Sequence, residues 1–213
     1  MPKELLIKVC GMKEPDNILQ LLELPIHYIG HIFYQKSARY VGDLANLDIS
    51  KNIKKTGVFV NSSIAEILES VNRLSLKAVQ LHGDETAEMA SALKSEGLEV
   101  IKAFGIDEEF DWKQLESFVD HVDFFLFDSK SPAYGGTGKA FNWQKLKEYP
   151  FEKPYFLSGG LSLENLEEAI NFEDKRLVGL DLNSKFEIEP GLKDIEKLKL
   201  ALKTIRNEQI SSK

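Results

Sequence analysis

Eight short apolar runs, segments of helical period between them and a length of 213 residues without a low-complexity divider predict an α/β fold. The architecture expected is a single-domain (β/α)8 TIM barrel, with its eight strands parallel, over residues 1–213. Strand and helix in alternation imply parallel pairing, because a crossover must carry the chain back before the next strand starts. The alternative, an open doubly wound sheet, would carry G-x-G-x-x-G directly after its first strand. Here that strand runs into "CGMKEP", which lacks the spacing.

Taken in order, the strands are expected at LLIKVC (5–10), YIGHIFY (28–34), TGVFV (56–60) and AVQLH (78–82). Four more follow at EVIKAF (99–104), VDFFLFD (122–128), PYFLS (154–158) and LVGLDL (177–182). Each is rich in β-branched and aromatic residues and short enough to cross a barrel wall. Between them, IAEILESVNRL, ETAEMASALKSEG, LENLEEAI and GLKDIEKLKLALKTI repeat apolar residues at helical spacing. A helix is expected after every strand.

Composition removes several function classes. A formal net charge of −7 and a pI near 5.3 disfavour nucleic acid and anionic membrane as partners. No run approaches the roughly 18 apolar residues of a membrane span, and the N-terminal "LLIKVC" is too short and too charged for a signal peptide. One cysteine cannot form an internal disulfide, so a cytoplasmic location is expected. His27, His31, His82 and His121 show no metal-ligand spacing, so no metal is expected.

In such a barrel chemistry gathers where strands end and loops begin. Those positions hold Cys10, Tyr34 to Arg39, Asn61, Gln80 with His82, Asp128, Ser158 with Gly159 and Gly160, and Asp181 with Asn183 and Ser184. Alternation sorts their directions. Leu5, Ile7 and Val9 form an apolar face for the helices, which turns Lys8 and Cys10 toward the axis. Val79 and Leu81 likewise leave Gln80 and His82 inward. Asp128 shares a face with Phe124 and Leu126, and pattern alone does not choose its side. A nearby ammonium stabilises thiolate, so Lys8 is expected to lower the pKa of Cys10. The loops after strands seven and eight commonly bind phosphate in barrels. "LSGGLSLENL" and "DLNSKFEIEPG" occupy those places, with backbone N–H groups of the following helix expected to help. "YGGTGKAFNW" supplies Gly136 and Gly138 for a covering loop.

In combination these motifs resemble one family, the phosphoribosylanthranilate isomerases of tryptophan biosynthesis. The resemblance runs from "KVCGM" through "FYQKSARYV", "GVFVN", "VQLHGDE", "FDSKSPAYGGTGKAFNW", "LSGGL" and "LDLNSKFE" to "PGLKD". It implies an Amadori rearrangement of an aminoaldose phosphate to an aminoketose, without metal or cofactor. The family's base falls on Cys10, its acid on Asp128, and its anthranilate-carboxylate partner on Arg39. Gln80, His82 and Asp181 are expected to bind substrate or to brace the residues that do; Gly136, Gly138, Ser158, Gly159, Gly160, Asn183 and Ser184 are expected to hold its phosphate. Lys185, where many members carry glycine, would add positive charge there. The partner implied is a small phosphoribosyl compound, bound by a monomer or homodimer. Two rivals are a related phosphoribosyl isomerase and a non-catalytic phosphometabolite-binding barrel. The first would end its opening strand in aspartate and show an internal repeat; the second has no need of both Cys10 and Asp128.

Overall fold

The structure, a computed structural model, describes residues 4–46, 52–130 and 141–211. Eight parallel strands close on themselves in sequence order: β1 (Leu6–Cys10), β2 (Tyr28–Ile32), β3 (Lys54–Phe59), β4 (Ala78–Leu81), β5 (Glu99–Ile106), β6 (Phe124–Ser129), β7 (Tyr155–Leu157) and β8 (Leu177–Leu182). Closure pairs β1 with both β2 and β8 and leaves the barrel no free edge. Register sets Lys8 beside Tyr28 on one side and Asp181 on the other.

Alternation along the strands separates two cores. Leu5, Ile7, Val9, Val79 and Leu81 join the large outer layer under the helices. Tyr28, Ile101, Ala103, Leu126 and Phe156 fill the barrel's floor, with Leu6, Phe124 and Val178 packed against them. Edge-on aromatic pairs of Phe156 with Tyr28 (5.4 Å) and Phe124 (5.3 Å) seal it. Phe124 and Leu126 therefore point inward, and Asp128, next on that face, rises above them. The direction that pattern left open is settled.

Among the described residues five α-helices surround the strands: α1 (Pro15–Leu22), α2 (Ile64–Leu74), α3 (Ala87–Ser95), α4 (Leu166–Ile170) and α5 (Ile195–Ser211). Pro begins α1, Ser63 and Glu66 form a reciprocal capping box on α2, and the Thr86 side chain caps α3. The expectation of a helix after every strand is corrected at three places. No α-helix follows β2 among the described residues, and after β5 and β6 the chain forms 3-10 segments, Trp112–Phe118 and Trp143–Glu148. Their large side chains explain why. Trp112, Leu115 and Phe118 are buried at every third position, as are Trp143, Leu146 and Tyr149. That period matches three residues per turn and not 3.6.

Beyond β8 a short antiparallel hairpin, β9 (Glu187–Glu189) and β10 (Leu192–Lys193), lies against α1. Asn17 of α1 fastens it, donating to the Lys193 carbonyl at 3.0 Å and accepting from its N–H at 2.7 Å. Among the described residues no helix is long and apolar enough to cross a membrane.

Candidate active site

A cleft opens at the C-terminal ends of the strands. Cys10, Arg39, Gln80, His82, Asp128, Ser158, Gly159, Gly160, Asp181, Asn183 and Ser184 all line it. Every described residue expected in the site from sequence is thus brought to one place. Gly136 and Gly138 lie outside the described residues. Lys185 is exposed and does not line the cleft, so the positive charge expected from it is directed elsewhere.

Asp128 ends the inward face of β6. Its Oδ1 accepts from the Ser129 N–H at 2.7 Å, and its Oδ2 lies 3.8 Å from His82 Nε2. Burial pushes its pKa up to about 6, with the Asp181 charge adding to the rise; the Ser129 N–H and Lys8 act against them. Gly159 backs directly onto it. At φ 82°, a Cβ there would fall 2.4 Å from Ser129 Oγ and 2.8 Å from Asp128 Oδ1. Only glycine lets the β7 loop close over the carboxyl.

Cys10 ends the inward face of β1 and is buried. Gly30 on β2 makes room for it, since a Cβ there would meet the sulfur at 2.7 Å. The expectation that Lys8 frees a thiolate is corrected in its net effect. Burial is the largest influence and, with the Asp181 charge, raises the thiol's pKa against the opposing pull of Lys8 and Lys193. Lys8 itself is held 2.9 Å from Asp181 Oδ1. Burial works against its charge, but Asp181 and the neighbouring thiol outweigh that and its pKa is raised.

Arg39 closes one side of the cleft. Its Nε and Nη2 grip Glu187 in a fork at 2.7–3.0 Å, leaving Nη1 without a hydrogen-bond partner among the described residues. Ser158, Gly159, Gly160 and Leu161 form the opposite wall with Asn183 and Ser184. Helix α4 begins only at Leu166, and Asn165 ties the loop by donating to the Gly160 carbonyl at 3.0 Å. The wall is therefore loop backbone, and the help expected from the helix's own N–H groups is not seen.

Comparison with known proteins agrees with this geometry. Residues 7–204 match the family model described as N-(5'-phosphoribosyl)anthranilate isomerase. The chain belongs to that family. The N-(5'-phosphoribosyl)anthranilate isomerase of Parabacteroides distasonis is 43% identical over 213 residues, which cover 98% of this chain and 96% of the relative. The corresponding protein of Thermotoga neapolitana is 40% identical, over 88% of this chain and 92% of its own. Among solved structures, the phosphoribosylanthranilate isomerase of Thermotoga maritima superposes with a TM-score of 0.80 at 31% identity, covering 95% of this chain and 99% of that one. A family structure in complex with reduced 1-(o-carboxyphenylamino)-1-deoxyribulose 5-phosphate superposes at 0.79 with 28% identity and the same coverage.

Two charged residues beside the cleft, Glu187 and Lys193, escaped the sequence. Lys193 is fully buried and reaches Asn183 Oδ1 at 2.8 Å and Glu187 Oε1 at 2.5 Å. Burial lowers its pKa against the pull of Glu187 and Cys10. In sequence it opens the charged run "KDIEK", which reads as a solvated helix face. Only the hairpin, pinned by Asn17, turns it inward.

Proposed function

We propose that this barrel converts N-(5'-phosphoribosyl)anthranilate to 1-(2-carboxyphenylamino)-1-deoxyribulose 5-phosphate, with Asp128 as general acid and Cys10 as general base. The observation that carries this assignment is their placement on β6 and β1, three strands apart in the closed ring and lining one cleft. Asp128 gives its proton to the ribose ring oxygen, the C1'–oxygen bond breaks, and the anilino nitrogen forms an iminium with C1'. The cation acidifies C2', whose proton passes to the Cys10 sulfur, and the electron pair left behind neutralises the nitrogen. The enolamine then tautomerises to the ketone. A carboxyl with a pKa of about 6 is suited to the first step, being still partly protonated near neutrality.

The phosphate is remote from the reacting atoms, so its binding energy positions the sugar. Ser158, Gly159, Gly160, Asn183 and Ser184 are assigned to it, with Gly136 and Gly138 in the covering loop. Gln80, His82 and Asp181 line the sugar's position. Arg39 meets the anthranilate carboxylate with the guanidinium edge that Glu187 leaves open. Losing such a charge-assisted contact costs about 1.5–3 kcal/mol. Arg39→Ala should therefore raise KM roughly 10- to 100-fold with kcat within about threefold; an unmoved KM means the carboxylate is held elsewhere. The enzyme is placed in the cytoplasm, as a single-domain monomer or homodimer. The deciding assay is fluorescence decay of freshly made phosphoribosylanthranilate with purified protein. A decay no faster than in buffer would sink the assignment.

A further inference from the structure

We infer that Gln80 is a positioning residue that fixes His82 as the Nε2–H tautomer, so that the imidazole offers a proton to the carboxylate Asp128 becomes after acting. The inference rests on Asp128 being the acid. Gln80 on β4 and His82 just beyond it point to the same side, and Gln80 Nε2 lies 3.1 Å from His82 Nδ1. An amide nitrogen only donates, so Nδ1 must carry the lone pair, and a neutral ring then has its proton on Nε2. That nitrogen is the one facing Asp128 Oδ2, at 3.8 Å.

Neutrality has a physical basis in what surrounds the ring. Burial, then Lys102 from β5 and Lys8 from β1, hold the imidazole down at about 4, while Asp128 faces it from β6. Lys102 is itself paired with the buried Glu85 at 3.0 Å. The reverse amide orientation would draw the ring proton to Nδ1 and set an imidazole lone pair against the new carboxylate, which is repulsive. A gap of 3.8 Å is too long for a hydrogen bond at rest. It suits a contact that tightens once substrate is bound.

The other end of the amide is without a protein partner among the described residues. Gln80 is only 1% exposed, and its Oε1 is buried. Such a group is unfavourable in a finished core.

Long-range 1H–15N NMR of the unliganded enzyme at pH 7.5 reads the ring directly, and the expected state is neutral with the proton on Nε2. An Nδ1–H or doubly protonated ring overturns the inference, with no variant needed. Gln80→Glu offers His82 only acceptors. It should reverse the tautomer, lower kcat about 10- to 100-fold with KM within about threefold, and move the Asp128 limb of the pH profile upward. Gln80→Met, similar in shape but without a donor, should give mixed tautomers and an intermediate loss. Wild-type kcat in Gln80→Glu would overturn the inference. Failure of the acid assignment shows separately: Asp128→Asn would keep its activity while the His82 tautomer stayed as found.

Discussion

Asp128→Asn is expected to lower kcat by about 10²- to 10⁴-fold, with KM little changed, while making the folded chain more stable. The first effect follows because an amide cannot give up a proton to the ring oxygen. The second follows from linkage. The native carboxyl titrates at about 6, above the ordinary 3.8, so the folded state binds this proton more tightly than the unfolded one. Stability from this group is present below about pH 4 and is lost as pH rises to about 6. At neutral pH the buried charge costs up to about 3 kcal/mol. Asparagine avoids that cost, and its Oδ1 still accepts from the Ser129 N–H. For a chain of this size the gain should appear as a melting temperature several degrees higher at pH 7.5, shrinking toward pH 4. Thermal scans at both pH values, beside steady-state kinetics, check the pair of effects. A variant that keeps more than about a tenth of wild-type kcat removes Asp128 from the role. One destabilised at pH 7.5 removes the desolvation account of its pKa.

Strand order and strand-end chemistry were legible because a barrel wall repeats simple constraints. Apolar residues must alternate, so Leu5, Ile7 and Val9 announce the outer face and leave Lys8 and Cys10 inside. Asp128 needed the structure, since Phe124, Leu126 and the outward Phe125 and Phe127 are all apolar and alternation carries no sign. Gly159 was legible only in part. Its backbone freedom reads as room for a ligand, yet the tightest constraint is the neighbouring Ser129 and Asp128. Glu187 and Lys193 belong to a hairpin whose strands have only three and two residues, too short for any period to mark. Their burial depends on ties from distant parts of the chain, Asn17 to the Lys193 backbone and Arg39 to Glu187.

Cys10→Ser is the complementary test, and its expected loss is as large. A serine hydroxyl fits beside Gly30, but it ionises far less readily than a thiol, so proton removal from C2' loses its base. kcat should fall by about 10²- to 10⁴-fold with KM little altered. The pH profile separates this loss from mere misplacement. In the free enzyme Asp128 titrates at about 6 and burial lifts the thiol above its ordinary range. Between those two values the dominant form has the carboxylate ionised and the thiol protonated. The productive form, acid protonated and base ionised, is a small minority of constant size across that interval. Hence kcat/KM should rise with pH to about 6, hold level, and fall where the thiol ionises. Asp128→Asn should remove the break at about 6, its residual activity rising until the thiol ionises with no fall beyond, and Cys10→Ser should remove the rise and leave a fall from about 6. Lys8 and Lys193 both favour the thiolate against its burial. Neutralising either, as in Lys193→Met, moves the upper limb further up and shrinks the productive fraction. If the upper limb persists unchanged in Cys10→Ser, some other group is taking the proton from C2'.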